Sequence, residues 1–349
     1  MKYCLNSKIK SLEPYEPTVG EYPIRLDANE SFLRPTDEIL AKIRDAAGSV
    51  IFNRYPDPYA KELCGCFADF YGVNPAVVTA GNGSDELISV LLNTFVMKGE
   101  PILTLVPDFS IYRFYGHLGE AECLEYKKDP DFSINVDDLI SQIRKSGVRL
   151  LVFSNPCNPT GRGLGREEVR KLIRSVDALV VLDEAYMDFW DQSLLRETEQ
   201  FENLIVLRTC SKVFGMAAIR LGFAVSNPAL TRALRAVKSP YNVNACTQKI
   251  GSVILREKDW VRSGLTKIKS SQKELFSMLK TMERAHGGKI QVYDSVTNFT
   301  LVRMDENSRV FEELKKAGIV IRNLGDFLRI TAGTREENLA LVRELEKIL

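Results

Sequence analysis

Short apolar runs punctuate the middle of the chain: "PILTLV" around Leu103, "RLLVFS" around Leu151, "ALVVLD" around Val181, "NLIVLR" around Val206 and "LGFAVS" around Ala224. Apolar residues follow one another there with little polar alternation, which predicts strands covered on both faces. Capped helical stretches separate several of them. In "NVDDLISQIRKSG", Asp137 or Asp138 is placed to start a helix and Gly147 to stop it. Alternation of this kind predicts an α/β fold on a mainly parallel, helix-covered sheet.

The pattern changes after residue 240. From about Asn244 to Ala285 a helical stretch rich in Lys, Glu and Ser runs on, with a break expected around Gly264 and an end at Gly287-Gly288. The tail reads as a strand "KIQVYDSVTNFTLVRM", a helix "SRVFEELKKAGI", strands "VIRNLG" and "FLRITAG", and a last helix "TREENLALVRELEKIL". The expected organisation is a large domain over 31–240 and a connecting helix with a small α+β domain over 241–349. Residues 1–30 would form an N-terminal arm and part of the small domain. No internal repeat or low-complexity tract points to another architecture.

In open parallel sheets, ligands bind beyond the carboxyl ends of the strands. The residues that follow the apolar runs are polar: Pro107-Asp108-Phe109, Asn155 to Gly161, Asp183-Glu184-Ala185-Tyr186, and Arg208-Thr209-Cys210-Ser211-Lys212. These strand ends are expected to converge on one crevice.

Composition narrows what that crevice takes. Lys plus Arg number 47 against 46 Asp plus Glu, a net charge of +1, and no long run of one sign gives a nucleic-acid or membrane footprint. A small-molecule partner is expected. The 7 cysteines are scattered without a CxxC pair, and His117 and His286 are too few for a histidine triad or a multi-histidine centre. No metal is expected, and the chemistry falls to lysine, arginine, tyrosine and carboxylates. Neither a signal-peptide core nor an apolar stretch of roughly 20 residues is present, so a cytoplasmic protein is expected.

"TAGNGSDELISVLLN" puts Gly81, Gly83 and Ser84 before a helix, where free N–H groups suit an anion, although an ordinary capped helix has the same pattern. Asp183 closes an apolar run. Such a carboxylate serves either as a cap or ion-pair partner, or as the negative partner of a protonated ring nitrogen. Lys212 follows another run, where a desolvated amine moves towards its nucleophilic form, whereas a lysine snorkelling from a loop needs no such role. The combination decides. Thr209, Ser211 and Arg220 can surround a phosphate tethered to whatever Lys212 binds. Phosphate donors, an imine-forming lysine and a ring-nitrogen carboxylate together describe a pyridoxal phosphate site.

From "LEPYEP" and "IRLDANE" through "RYPDPYAKEL", "GNGSDE", "NPCNPTG", "DEAYMDF", "RTCSKVFGMAAIRLGF" and "SPYNVN" to "GIVIRNLG" and "FLRITAGTREEN", the chain resembles the fold-type I pyridoxal-phosphate aminotransferases. Within them it is similar to the histidinol-phosphate branch. Each motif is weak alone; the ordered set, nearly end to end, is specific. The resemblance implies that Lys212 forms the internal aldimine and acts as base and acid, and that Asp183 partners the pyridine nitrogen. Asn158 and Tyr186 would bond the ring oxygen, and Phe109 would stack on the ring. Gly83, Ser84, Asp85, Thr209, Ser211 and Arg220 would hold the phosphate, with Tyr55 of "RYP" reaching it from the second subunit of a homodimer. On the substrate side the resemblance implies Asn29 of "IRLDANE" and Arg329 at the α-carboxylate position. In the histidinol-phosphate branch Arg322, Arg329 and Tyr15 would face the phosphate of the amine donor. The implied reaction turns histidinol phosphate and 2-oxoglutarate into imidazole-acetol phosphate and glutamate, in ping-pong order.

Two features keep alternatives open. Ser31-Phe32-Leu33-Arg34 replaces the family's Asn-Pro and glycine-containing turn after "ANE", which bears on the substrate more than on the cofactor. An aromatic or broad-specificity aminotransferase, or an enzyme resembling threonine-phosphate decarboxylase, would share the cofactor residues. A ligand-sensing domain of a transcription regulator is not expected, because the resemblance begins by Leu12 and the charge is balanced.

Overall fold

The computed structural model describes residues 3–10, 12–14 and 18–349. In chain order its strands are β1 (Ile24–Arg25), β2 (Val78–Gly81), β3 (Pro101–Val106), β4 (Glu122–Lys127), β5 (Leu150–Ser154), β6 (Leu179–Asp183), β7 (Leu204–Thr209) and β8 (Gly222–Ser226). The tail adds β9 (Ile290–Val292), β10 (Phe299–Met304), β11 (Ile319–Val320), β12 (Arg322–Asn323) and β13 (Leu328–Thr331).

Strands β2 to β8 form one sheet in the order β2-β8-β7-β6-β5-β3-β4. All pairs between β4 and β7 are parallel, and β8 alone runs against its neighbours β7 and β2. The five predicted runs are β3, β5, β6, β7 and β8. Two strands lie outside that set: β2 is only 4 residues long, and the edge strand β4, "ECLEYK", is mostly half-exposed. The missing polar alternation has a direct cause. Leu103, Leu151, Phe153, Val180, Leu182 and Val206 belong to one buried cluster, while the intervening Ile102, Leu150, Val152, Val181, Ile205 and Leu207 belong to another on the opposite face. With both faces covered, neither set of alternate positions can be polar.

The helix Val136–Lys145 begins earlier than predicted. Its cap is Asn135, whose side chain accepts from the N–H groups of Asp137 and Asp138, leaving those two acids in the first turn, where the helix dipole favours them. The break expected at Gly264 is at Glu257, between helices Ala245–Arg256 and Lys258–Ala285. Gly264 lies inside the second helix, where a Cβ would run into the side chain of Leu33. That glycine allows close approach instead of ending a helix.

"KIQVYDSVTNFTLVRM" is likewise two strands, β9 and β10, paired antiparallel in a sheet ordered β12-β13-β10-β9. The helices Lys258–Ala285 and Arg335–Ile348 close a core with this sheet around Leu275, Leu279, Val302, Ile330 and Leu341. Leu26 joins the same core, because β1 pairs parallel with β11. No helix among the described residues is long and apolar enough to cross a membrane.

One contact fixes the turn before helix Ser84–Thr94. Gly222 of β8 lies opposite Gly81 of β2 and Thr209 of β7, and a Cβ on it would come 2.5 Å from the carbonyl carbon of Gly83. Main chain cannot swing aside as a side chain can. Gly222→Ala is expected to cost about 1–3 kcal/mol in urea unfolding, through the overpacking it forces between β8 and this turn.

Candidate active site

Asp183 is the last residue of β6 and is 3% exposed. One carboxylate oxygen accepts from the Tyr112 hydroxyl at 2.8 Å and the other from the Ala185 N–H at 3.0 Å. No lysine, arginine or histidine among the described residues forms an ion pair with it. Nearby carboxylates differ: Glu184 and Asp188 share Arg208 at 2.9 Å each, Asp85 meets Arg220 at 3.0 Å, and Asp108 faces Lys128 at 3.7 Å. Burial pushes the Asp183 carboxyl up to about 7, against the stabilising bonds from Tyr112 and Ala185.

Tyr112 is fully buried and packs edge-on against Phe109, ring centroids 5.7 Å apart. Sequence reasoning passed it over. Its signal was the spacing of three from Phe109 at the start of helix Ile111–Leu118, which turns both rings towards the same crevice.

Lys212 follows β7 and is half-buried, less desolvated than its apolar run suggested. Its Nζ donates to the carbonyl of Ala28 at 3.2 Å and lies 5.5 Å from the centre of the Tyr186 ring. The Tyr186 oxygen accepts from Asn29 Nδ2 at 2.8 Å, so its own hydrogen is left to donate. Asn29 is buried in the left-handed region at φ 54°, and Thr331 and Asn298 hold it: its N–H donates to the Thr331 hydroxyl, its Oδ1 accepts from that hydroxyl, and its carbonyl accepts from Asn298.

Asn158, in the loop after β5, accepts from Arg329 Nη1 through Oδ1, which leaves its amide N–H groups to donate. Arg329 Nη2 donates to the Asp27 carbonyl at 2.7 Å. Arg329 is buried on β13, directly opposite Arg322 on β12.

Further along the crevice, Gly83 at φ 82° caps the helix Ser84–Thr94 and Arg220 sits in the left-handed region at φ 47°. The hydroxyls of Thr209 and Ser211 lie 3.0 Å apart. The rung Thr209–Gly222–Gly81 brings helix N–H groups, hydroxyls and guanidinium to one end of the crevice, a set suited to a phosphate. Two expected residues are not among those gathered. Tyr55 is 80% exposed and stacks on Tyr241 at 4.5 Å, and Tyr15 lies outside the described residues.

A family model for aminotransferase class I and II matches residues 22–345. The chain belongs to that family. It is a pyridoxal-phosphate-dependent aminotransferase, and its residues fit the cofactor: a carboxylate without a cation, an aromatic face, an amine at a strand end and a phosphate-sized set of donors. The histidinol-phosphate aminotransferase of Clostridium kluyveri is 40% identical over 346 residues, 98% of this chain and 97% of that protein. Histidinol-phosphate aminotransferase from Sinorhizobium meliloti, solved in complex with pyridoxal-5'-phosphate, superposes with a TM-score of 0.87 at 22% identity, covering 99% of this chain and 98% of that one. L-threonine-O-3-phosphate decarboxylase from Porphyromonas gingivalis reaches 0.79 at 20% identity, with 93% and 99% covered. At such identities the likeness speaks for the fold alone, which transaminase and decarboxylase share.

The Asp183 environment makes the cofactor-free aminotransferase pH-sensitive. A carboxyl raised to about 7 from 3.8 holds its proton better in the folded chain than in the unfolded one. The burial cost is therefore absent below the ordinary value, grows as pH rises and is complete above 7. Asp183→Asn is expected to stabilise the cofactor-free protein at pH 8, by up to roughly 4 kcal/mol, with the gain shrinking towards pH 5. Thermal melts of both proteins across that range check it, and a gain independent of pH would contradict it.

Proposed function

We propose that this aminotransferase moves the amino group of histidinol phosphate to 2-oxoglutarate, giving imidazole-acetol phosphate and glutamate, as a cytoplasmic step of histidine biosynthesis. The observation that carries the donor is the pair Arg322 and Arg329, directly opposite across an antiparallel ladder. A planar guanidinium binds phosphate or carboxylate through two parallel N–H groups, and two of them directly opposite can share one such anion. The 40% identity over nearly the whole length with a protein named for this substrate supports the choice. Tyr15 would complete the donor's phosphate site.

When bound, pyridoxal phosphate supplies an electron-accepting ring that stabilises negative charge on the substrate carbon. The Lys212 amine, held by the Ala28 carbonyl, would anchor the cofactor and, when free, would move a proton from and to the reacting substrate carbon. Asp183 would hold the proton on the ring nitrogen, with the Tyr112 hydroxyl keeping the carboxylate in line. Paired with such a cation, the Asp183 carboxylate would recover the cost of the burial that otherwise raises its pKa. Tyr186 and Asn158 would donate to the ring oxygen, and Phe109 would cover one face of the ring. Gly83, Ser84, Asp85, Thr209, Ser211 and Arg220 would hold the phosphate, so that orientation would be fixed before the proton moves. Arg329 takes the α-carboxylate of 2-oxoglutarate in the second half-reaction.

The reading includes a homodimer. Ile51, Phe52, Tyr55 and Tyr59 are 67%, 80%, 80% and 52% exposed, an apolar group that suits a second copy, with Tyr55 reaching that copy's phosphate site.

The decisive experiment is the visible spectrum of the purified holoenzyme before and after histidinol phosphate alone. The cofactor band is expected to bleach and to return with 2-oxoglutarate. A band untouched by histidinol phosphate but bleached by phenylalanine or tyrosine would replace the donor. Carbon dioxide release from threonine phosphate without an oxo acid would replace the reaction. Lys212→Ala is expected to lower turnover at least about a thousand-fold, and near-normal turnover would reject its role.

A further inference from the structure

Behind Phe109 and Asn158 lies a buried ion pair to which no role has yet been given. The side chains of Asp108 and Lys128 are 2% and 1% exposed and stand 3.7 Å apart. Burying two charges is unfavourable unless further hydrogen bonds complete them, so the groups they hold are informative. Asp108 accepts from the Phe109 N–H at 2.8 Å, from the Ser154 N–H at 3.3 Å and from the Ser154 hydroxyl. The Ser154 oxygen accepts in turn from the Asn158 N–H at 3.1 Å. Lys128, one residue beyond β4, donates to the Pro107 carbonyl at 2.8 Å and to Cys157 Sγ at 3.0 Å. Both charges therefore tie the loop after β3 to the loop after β5.

We propose that Asp108 is a positioning residue: through Ser154 it sets the spacing between the Phe109 face and the Asn158 amide, with Lys128 as its counter-ion. The inference rests on the pyridoxal phosphate reading. On that reading Phe109 and Asn158 would reach one ring from two separate loops, and a misplacement of about 1 Å of the Asn158 loop relative to the Phe109 loop would weaken the contact between the Asn158 side-chain amide and the ring oxygen. The chain Phe109–Asp108–Ser154–Asn158 joins the two loops by hydrogen bonds running through one carboxylate. Lys128 also keeps a second bare negative charge away from Asp183. The other titratable groups that face the pair are Tyr112, Cys157 and Asp183, and Arg329 is the cation that touches Asn158.

The test is the pH midpoint at which the bound cofactor's visible band changes. A donor on the ring oxygen favours its ionised form, so a displaced Asn158 amide raises that midpoint. Asp108→Ala and Ser154→Ala are each expected to raise it by about 0.5–1 pH unit, in the direction of Asn158→Ala. Combining either with Asn158→Ala should add nothing, since both act through the same amide. Ser154→Ala keeps both charges paired and decides the matter if Asp108→Ala does not fold. A Ser154→Ala midpoint equal to wild type, or shifts that add to that of Asn158→Ala, would overturn the proposal and leave the cofactor reading standing. A wild-type holoenzyme without a visible band would remove both.

Discussion

A carboxylate shut away from water without a cation is the constraint around which this molecule is arranged. Asp183 sits at the end of a strand buried on both faces, and the chain supplies it with a hydroxyl and one backbone N–H, both neutral. Its neighbours are treated differently, for Glu184 and Asp188 are matched by Arg208, Asp108 by Lys128 and Asp85 by Arg220. Among these five carboxylates the imbalance falls on Asp183 alone. A ligand that brings its own cation would redress it.

Delivery of those residues follows from the sheet. Strands β3, β5, β6 and β7 are parallel neighbours, so their carboxyl ends share one edge and their following loops share one crevice. Two-sided burial made these strands legible as apolar runs, and the polar residues after each run were legible for the same reason. Lys212, Asp183, Tyr186, Asn158 and Phe109 could all be found in this way.

Part of what could not be read depended on contacts distant in sequence. Tyr112 looks like any core aromatic until its hydroxyl is seen against Asp183. Gly264 looks like a helix breaker until Leu33 is found against it. Asn135 competes with Asp137 and Asp138 as a cap, and only the direction of its side chain settles the start of that helix. The strand β4 was hidden by its place at the sheet edge, where half-exposed positions carry polar residues. The ion pair of Asp108 and Lys128 left no local signature, because its partners come from three separate loops.

The segment Asp27-Ala28-Asn29 is short, yet three consecutive residues address three different parts of the crevice. The Asp27 carbonyl accepts from Arg329, the Ala28 carbonyl from Lys212, and the Asn29 side chain donates to Tyr186. The segment thus acts as a gauge of fixed length between the smaller sheet and the larger one. Most surface loops absorb an inserted residue at little cost. A single insertion here would put Arg329, Lys212 and Tyr186 out of step together, so drift in length is closed to this stretch even where its side chains can change.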